Sequence, residues 1–271
     1  MNMKNIYMTG STGKLGTHLI SSGKVGGIFS SLENPTDLKF ELAKIFEKTD
    51  GTVTILHAGA MTDVSACERS PSKALDVNTT GTHHLLNALY PHRHRTKFVY
   101  FSTCHVFGDN KYFPYSEKHK TVPSNAYGYS KLGGEVIVSS YHGVIDSAVF
   151  RFGKIVSQAD IEGYKSLPSS TTVPSFIKRN FMTLEEFESR VMTLITLPFS
   201  KFPTVKQMGI LPVLHVGTDL NFSMYQYVNY IRGIENLPPV SQREYEEAGH
   251  APRPYRCTLD TKSMKRLLRK V

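Results

Sequence analysis

An α/β fold built on a doubly wound parallel sheet is what this sequence predicts, and three observations carry it. A strand-like run, Lys4 to Thr9, leads at once into Gly10-Ser-Thr-Gly13-Lys-Leu-Gly16 and then into a helical run, Thr17 to Ser22. Short β-branched strands and helical stretches then alternate as far as Phe152, which is the pattern of βαβ units. Beyond Phe152 the alternation breaks down. The expected division is a dinucleotide-binding domain over 1–155, of the Rossmann type, and a smaller substrate-binding region over 156–271. Part of the second region, about 205–235, is expected to return to the first.

Composition sets the outer limits. The 271 residues suit one large domain or two unequal ones, and a hydrophobic content of 40% supports a sizeable core. No apolar run approaches the roughly 18 residues of a membrane helix. Met1-Asn-Met-Lys-Asn5 lacks the apolar segment of a signal peptide. Cys67, Cys104 and Cys257 match neither a zinc spacing nor a disulfide framework, so no metal and a reducing cytoplasm are expected. The net charge of +9 suits a phosphorylated small molecule. Lys262, Lys265, Arg266, Arg269 and Lys270 crowd one terminal helix, which reads as a solvated face. No nucleic-acid-binding pattern accompanies them.

In the glycine loop, Gly10 permits a tight turn, Gly13 lets the backbone approach a pyrophosphate, and Gly16 allows close helix packing. The helix behind it presents free N–H groups to phosphate. Ser11, Thr12, Lys14 and Leu15 complete this candidate cofactor loop. Lys24 to Ser30 is a weak second strand. Glu33 lies near the place where an acid binds a ribose 2′-hydroxyl, and no Arg marks a 2′-phosphate. Asp37 serves either as a helix cap or as an adenine contact, so NADH and NADPH both stay open.

Pro35 to Lys48 reads as a helix and Gly51 to His57 as a third strand. That strand runs into Ala58, Gly59 and Ala60, small residues where a nicotinamide ribose needs close approach. Met61 to Ser70 reads as a loop, and Pro71 to Leu89 as one long helix containing Asn78. Lys97 to Ser102 is the fourth strand. Ser102 and Thr103 stand at its carboxyl end, where open α/β sheets hold their ligands. Cys104 and His105 follow, then a loop from Phe107 to Pro123. Ile145 to Phe152 is the fifth strand, and Ser157 to Pro174 reads as a loop over the site. Thr183 and Glu186 have capping-box spacing at the head of a helix reaching Ile195. A late strand over Ile210 to Val216 and helices over Ser223 to Ile234 and Thr261 to Arg269 complete the chain.

The chemistry centres on Tyr127 and Lys131. Four positions apart, they share one helical face. A free Tyr has a pKa of about 10 and is a poor proton donor at neutral pH. A neighbouring cation lowers that value, and a tuned Tyr protonates a carbonyl oxygen as hydride reaches the carbon.

The glycine loop, Ala58-Gly-Ala60, the Ser102-Thr103 strand end, Tyr127-x-x-x-Lys131 and the fifth strand together resemble the extended short-chain dehydrogenase/reductase family. Finer likeness lies in Thr62-Asp-Val-Ser-Ala-Cys-Glu68, Asp76-Val-Asn-Thr-Thr-Gly81, Ser102-Thr-x-x-Val-Phe107, Tyr127-Gly-Tyr-Ser-Lys-Leu-Gly-Gly-Glu135 and Pro252-Arg-Pro-Tyr-Arg-Cys-Thr-Leu-Asp-Thr261. These are similar to dTDP-4-dehydrorhamnose reductases, well over 4–155, loosely over 205–268 and little over 156–204.

The resemblance implies hydride transfer from NADPH or NADH to the C4 carbonyl of a nucleotide-linked 4-keto-6-deoxy sugar, in deoxysugar and polysaccharide biosynthesis. It makes Tyr127 the general acid. Lys131 would lower the Tyr127 pKa and hold the nicotinamide ribose, and Thr103 would bond the reacting oxygen. Asn78 joins the cofactor residues, and Ser102, Cys104 and His105 border the sugar. The partners expected are a nucleotide-diphosphate sugar and a second copy in a homodimer, with neither nucleic acid nor membrane. The family usually has Asp-Tyr where this chain has Cys104-His105. Two other roles fit the same residues. One is a catalytically silent NADP-binding subunit, like the β subunit of methionine adenosyltransferase. The other is a nucleotide-sugar epimerase or dehydratase of the same superfamily.

Overall fold

The computed structural model describes residues 5–108, 114–233 and 237–270. Apolar side chains on both faces of the central strands decide the architecture. Ile6–Thr9 (β1), Gly26–Gly27 (β2), Val53–His57 (β3), Thr96–Thr103 (β4) and Asp146–Phe152 (β5) run parallel. Every residue of β3 and β4 is buried, as central strands covered on two sides must be. The connecting helices are Lys14–Ser21 (α1), Pro35–Glu47 (α2), Val64–Arg69 (α3), Pro71–Leu75 (α4), Gly81–Leu89 (α5) and Ala126–Tyr141 (α6).

Alternation along the strands sorts the core into two layers. Ile55, Phe98, Tyr100 and Val149 pack with Leu42, Leu85 and Val138, from α2, α5 and α6. Their sequence neighbours Leu56, Val99, Ala148 and Phe150 pack with Leu19 of α1 and with Phe187, Val191 and Leu194. Those last three belong to Leu184–Leu194, the helix whose reciprocal Thr183–Glu186 capping box is present.

Two stretches expected as loops are helical. Asp63 accepts the Ala66 N–H at 2.7 Å and so starts α3. Ser157 and Asp160 form a reciprocal capping box at the head of Gln158–Lys165 (α7). The long helix expected from Pro71 is interrupted by a π-helical turn over Asp76–Thr80 between α4 and α5. The loop expected over 107–123 lies in part outside the described residues, as does Ile234.

Past β5 the strands are short. Lys154–Val156 (β6), Lys178–Thr183 (β8) and Asn221–Ser223 (β11) make a three-stranded sheet, and Val173–Pro174 (β7) pairs with Pro239–Val240 (β12). Thr204–Val205 (β9) and Leu211–Val216 (β10) extend the large sheet instead, giving the order β2-β1-β3-β4-β5-β10-β9. Leu184–Leu194 is α8, followed by Met224–Arg232 (α9), Gln242–Glu247 (α10) and Lys262–Leu268 (α11). On α11, Lys262 and Lys265 pair with Asp260 and Asp219, in keeping with a solvated face. Among the described residues no helix is long and apolar enough to cross a membrane.

Sheet order and register place the site. Strand order reverses between β1 and β3, and a crevice opens at the carboxyl ends of such a pair. Thr9 pairs with His57 and Thr103 with Phe152, so β1 ends level with β3 and β4 with β5, and because His57 pairs with Tyr100 the second pair reaches three residues further.

Candidate active site

The glycine loop is tight because backbone crosses backbone. Gly10 has φ 72°, and a Cβ there would lie 2.8 Å from Gly59 N. At Gly16 a Cβ would fall 2.2 Å from Gly10 O. A side chain at Gly10 would push the loop off the segment after β3, and one at Gly16 would push helix α1 off the loop itself. Gly13, at the N-cap of α1, brings no side-chain acceptor to the first turn, which leaves its N–H groups to an anion.

A cavity of about 390 Å³ runs from this loop to the Tyr–Lys pair. Gly10, Thr12, Gly13, Lys14 and Leu15 line one end of it, and Ala58 and Ala60 the side. Ser102, Thr103, Tyr127 and Lys131 line the other end, with Phe101, Phe152, Gly153 and Ile155. A second cavity of about 340 Å³ shares Gly10, Thr12 and Ala60 and is bordered by Ser11, Gly59, Phe29, Ser30, Glu33 and Lys73. Glu33 and Lys73 form an ion pair there. The two spaces together have room for an extended dinucleotide.

Thr103 and Tyr127 face the same end of the cavity, although they come from a strand end and a separate helix. Three contacts hold α6 in that position. Asn125 Oδ1 accepts the Gly128 N–H at 2.8 Å, Glu68 accepts the Ala126 N–H at 2.9 Å, and Gly128 leaves room for His105 O, which a Cβ would meet at 2.4 Å. Burial pushes the Tyr127 phenol well above its ordinary pKa, and Thr103 opposes this only in part. The lowering expected from Lys131 is therefore overturned, because desolvation is the larger effect. Burial takes Lys131 itself down to about 7, opposed by the charge of Glu135. Its amino group lies 4.0 Å from the centre of the Tyr100 ring.

Five expected site residues have other partners. Ser102 Oγ donates to Glu135 Oε1 at 2.5 Å, and Arg151 donates to the same carboxylate from Nε at 2.9 Å and Nη2 at 2.6 Å. The Ser102 hydroxyl thus locks a fully buried ion pair into the cavity wall rather than turning to a substrate. Cys104 and His105 lie behind Thr103, Cys104 among Val106, Phe107, Tyr115, Cys257 and Leu259. Neither lines the cavity. Asn78, turned inward by the π turn, takes the Met61 N–H at 2.7 Å and donates to Met61 O and Ser130 Oγ. It ties the loop after β3 to α6 and positions the cavity wall. Asp37 is bound to Asn34, the cap of α2, and borders neither cavity. Gly16 likewise lines neither and serves helix packing.

Sequence reading missed a group of cations. Burial lowers Lys154 to about 8, helped by the charges of Lys14, Arg179 and Arg253. Arg179 is buried; its charge stands against desolvation with the help of Cys257, Cys104, Tyr164 and Tyr245. Lys14 reaches Asp160 on α7 at 2.6 Å. Burial alone would raise that carboxyl, but hydrogen bonds from Lys14 and Ser157 hold it down to about 2. Only the Ser157-x-x-Asp160 spacing gave a sequence signal for α7. A buried relay was missed as well. Gly59 N donates to Thr9 Oγ1 at 3.0 Å, Thr9 lies 2.6 Å from His57 Nδ1, and His57 Nε2 lies 3.0 Å from Thr82 Oγ1. Burial and the nearby Lys131 keep His57 neutral.

Comparison with known proteins agrees with this geometry. The chain is 36% identical over 141 residues to a dTDP-4-dehydrorhamnose reductase of Burkholderia thailandensis, covering 51% of this chain and 46% of that protein. It is 28% identical over 183 residues to a UDP-glucose 4-epimerase of Rhizobium meliloti, covering 60% and 55%. The matched part therefore spans about half the length of these relatives. Among solved structures, the dTDP-4-dehydrorhamnose reductase of Bacillus anthracis in complex with NADP superposes with a TM-score of 0.78 at 19% identity, over 96% of this chain and 91% of that one. The fold is thus the Rossmann-type α/β fold of such proteins. The model of the RmlD substrate binding domain family matches residues 3–165, and with more than half of its length inside that match the chain belongs to this family.

Proposed function

We propose that this protein is an NAD(P)H-dependent reductase acting on the C4 carbonyl of a nucleotide-linked 4-keto-6-deoxy sugar. The observation that carries this is that Thr103, Tyr127 and Lys131 line one end of a cavity whose other end is the glycine loop. A hydride source and a proton donor then face one reacting carbonyl. The cradle fits a dinucleotide: Gly10 and Gly16 have no space for a Cβ, and the first turn of α1 opens on the cavity. When bound, the cofactor supplies the hydride.

The chain's own residues do the rest. Thr103 and Tyr127 hold the carbonyl oxygen, and Tyr127 gives it a proton. Burial keeps the phenol in the protonated form that gives the proton, but a raised pKa makes it a weaker acid, so positive charge beside it has to stabilise the phenolate as the proton leaves. Lys131 holds the ribose hydroxyls and supports the phenolate left behind. Lys154 feels the charges of Lys14, Arg179 and Arg253, and Lys14 lines the cavity, a positive field suited to the diphosphate of the substrate. The relatives include a dTDP-4-dehydrorhamnose reductase and a UDP-glucose 4-epimerase, which supports a nucleotide sugar.

Purified protein, NADPH and a dTDP-4-keto-6-deoxy sugar should consume the nicotinamide absorbance, with the product reduced at C4. Dinucleotide binding without any turnover on such sugars would refute the reductase and leave a silent NADP-binding subunit.

A further inference from the structure

Three donor atoms meet behind the catalytic pair. Cys104 and His105 follow Thr103 in the turn after β4, and Cys257 arrives from the far end of the chain. One donor atom from each, two sulfurs and a ring nitrogen, all lie within 4.8 Å of one another, and all three residues are buried. The Cys104 and Cys257 thiols share a hydrogen bond. The cluster is held from outside as well. Asn125 Nδ2 lies 3.1 Å from His105 Nδ1 and donates to Pro252 O at 3.0 Å. Cys257 N donates to Lys178 O at 3.0 Å, which fixes that segment against the start of β8.

The donor set selects a thiophilic cation. Two thiolates and one imidazole make a zinc set with a fourth position left for water or another ligand. The cluster contains no carboxylate of the kind that selects calcium or magnesium. Exchange of two thiol protons for one divalent cation leaves the charge of this buried pocket unchanged.

We propose that Cys104, His105 and Cys257 form a zinc-binding site that clips the turn carrying Thr103 to the C-terminal segment. It lies behind the cavity wall and does not depend on the proposed reductase chemistry. The His105 ring stands 5.4 Å from that of Tyr127, edge to face, so the clip also braces the proposed proton donor.

The test takes the full chain, reduced and stripped of metal with a chelator, and titrates it with Co²⁺. The expected result is thiolate-to-cobalt charge-transfer absorption with the visible bands of tetrahedral cobalt, saturating at one equivalent and erased by Zn²⁺. About two protons should be released per metal bound. Cys104→Ser and Cys257→Ser should each weaken binding by more than about 10-fold, while Cys67→Ser leaves the titration unchanged. Should a serine variant fail to fold, X-ray absorption of the zinc-loaded wild-type chain decides: two sulfur neighbours and a nitrogen support the site. Absence of the charge-transfer band, its survival in both serine variants, or a zinc shell of nitrogen and oxygen alone would overturn it.

Discussion

The cavity and its rim are built from different kinds of chain. Its wall is made by strand ends and loops of the large sheet and by α6, from Gly10 to Gly153, with register set by backbone pairing along β1, β3, β4 and β5. The charged rim proposed for it comes from later pieces, with Lys154 on β6, Asp160 on α7, Arg179 on β8 and Arg253 in the final segment. On the wall, position follows from regular secondary structure. On the rim it follows from long-range packing, such as Lys178 N donating to Tyr255 O at 2.8 Å. On the proposed function, the difference says where substrate choice would reside. A wall fixed by a sheet suits one constant cofactor, whereas a rim on short strands and loops changes without disturbing the core.

This contrast is open to experiment, beginning at the wall. Tyr127→Phe removes only the hydroxyl, so turnover should fall by about 10³-fold while the dissociation constant for NADPH, read by fluorescence, stays within a factor of about two. A variant that keeps its rate would remove Tyr127 as the acid.

Lys131 gives a prediction for stability. Its pKa near 7, against an ordinary 10.5, means that between these values the unfolded chain binds a proton the folded one has released. Stability contributed by this group therefore rises with pH across that window and is lowest below pH 7. Lys131→Met should stabilise the ligand-free fold by about 3 kcal/mol below pH 7, with the advantage shrinking toward pH 10. Thermal melts of both chains over this range measure it, and an advantage that grows with pH would contradict the assignment.

At the rim, Arg253→Ala should raise KM for the nucleotide sugar about 10-fold, the worth of one charge-assisted contact, with kcat and NADPH affinity nearly constant. A change in cofactor affinity instead would erase the proposed division between wall and rim. The smallest effect is expected where the two regions touch. Asp160→Asn frees Lys14 from its partner across the cavity mouth. NADPH binding should tighten by about threefold at low salt and by less at high salt, because the pair is partly exposed. Tightening that ignores salt would point to a rearrangement of α7.

Legibility followed the same divide. Gly10, Gly13 and Gly16 are readable because a glycine loop between strand and helix has few physical explanations. Tyr127 and Lys131 are readable because helix geometry fixes what four positions mean. Ser102 lines the cavity beside Thr103, but its hydroxyl is taken by Glu135, and the turn after Thr103 sends Cys104 and His105 away from the cavity. Asp37 has a local partner in Asn34, whereas the partners of Asn78, Met61 and Ser130, lie far along the chain, where sequence does not reveal them. Arg179 was invisible, since nothing in Lys178-Arg-Asn-Phe distinguishes a surface cation from one that is 8% exposed.

By itself the sequence determined the parallel sheet, the phosphate-accepting turn and the Tyr–Lys pair, all of which rest on periodicity and on contacts within a few residues. Tertiary structure alone decided that Thr103 and Tyr127 line one cavity, that Lys154 feels Lys14, Arg179 and Arg253, and that Cys104 and Cys257 come within 4.8 Å of each other. Each of these joins residues far apart in the chain, and the packing of whole elements, rather than any local preference, sets their distance.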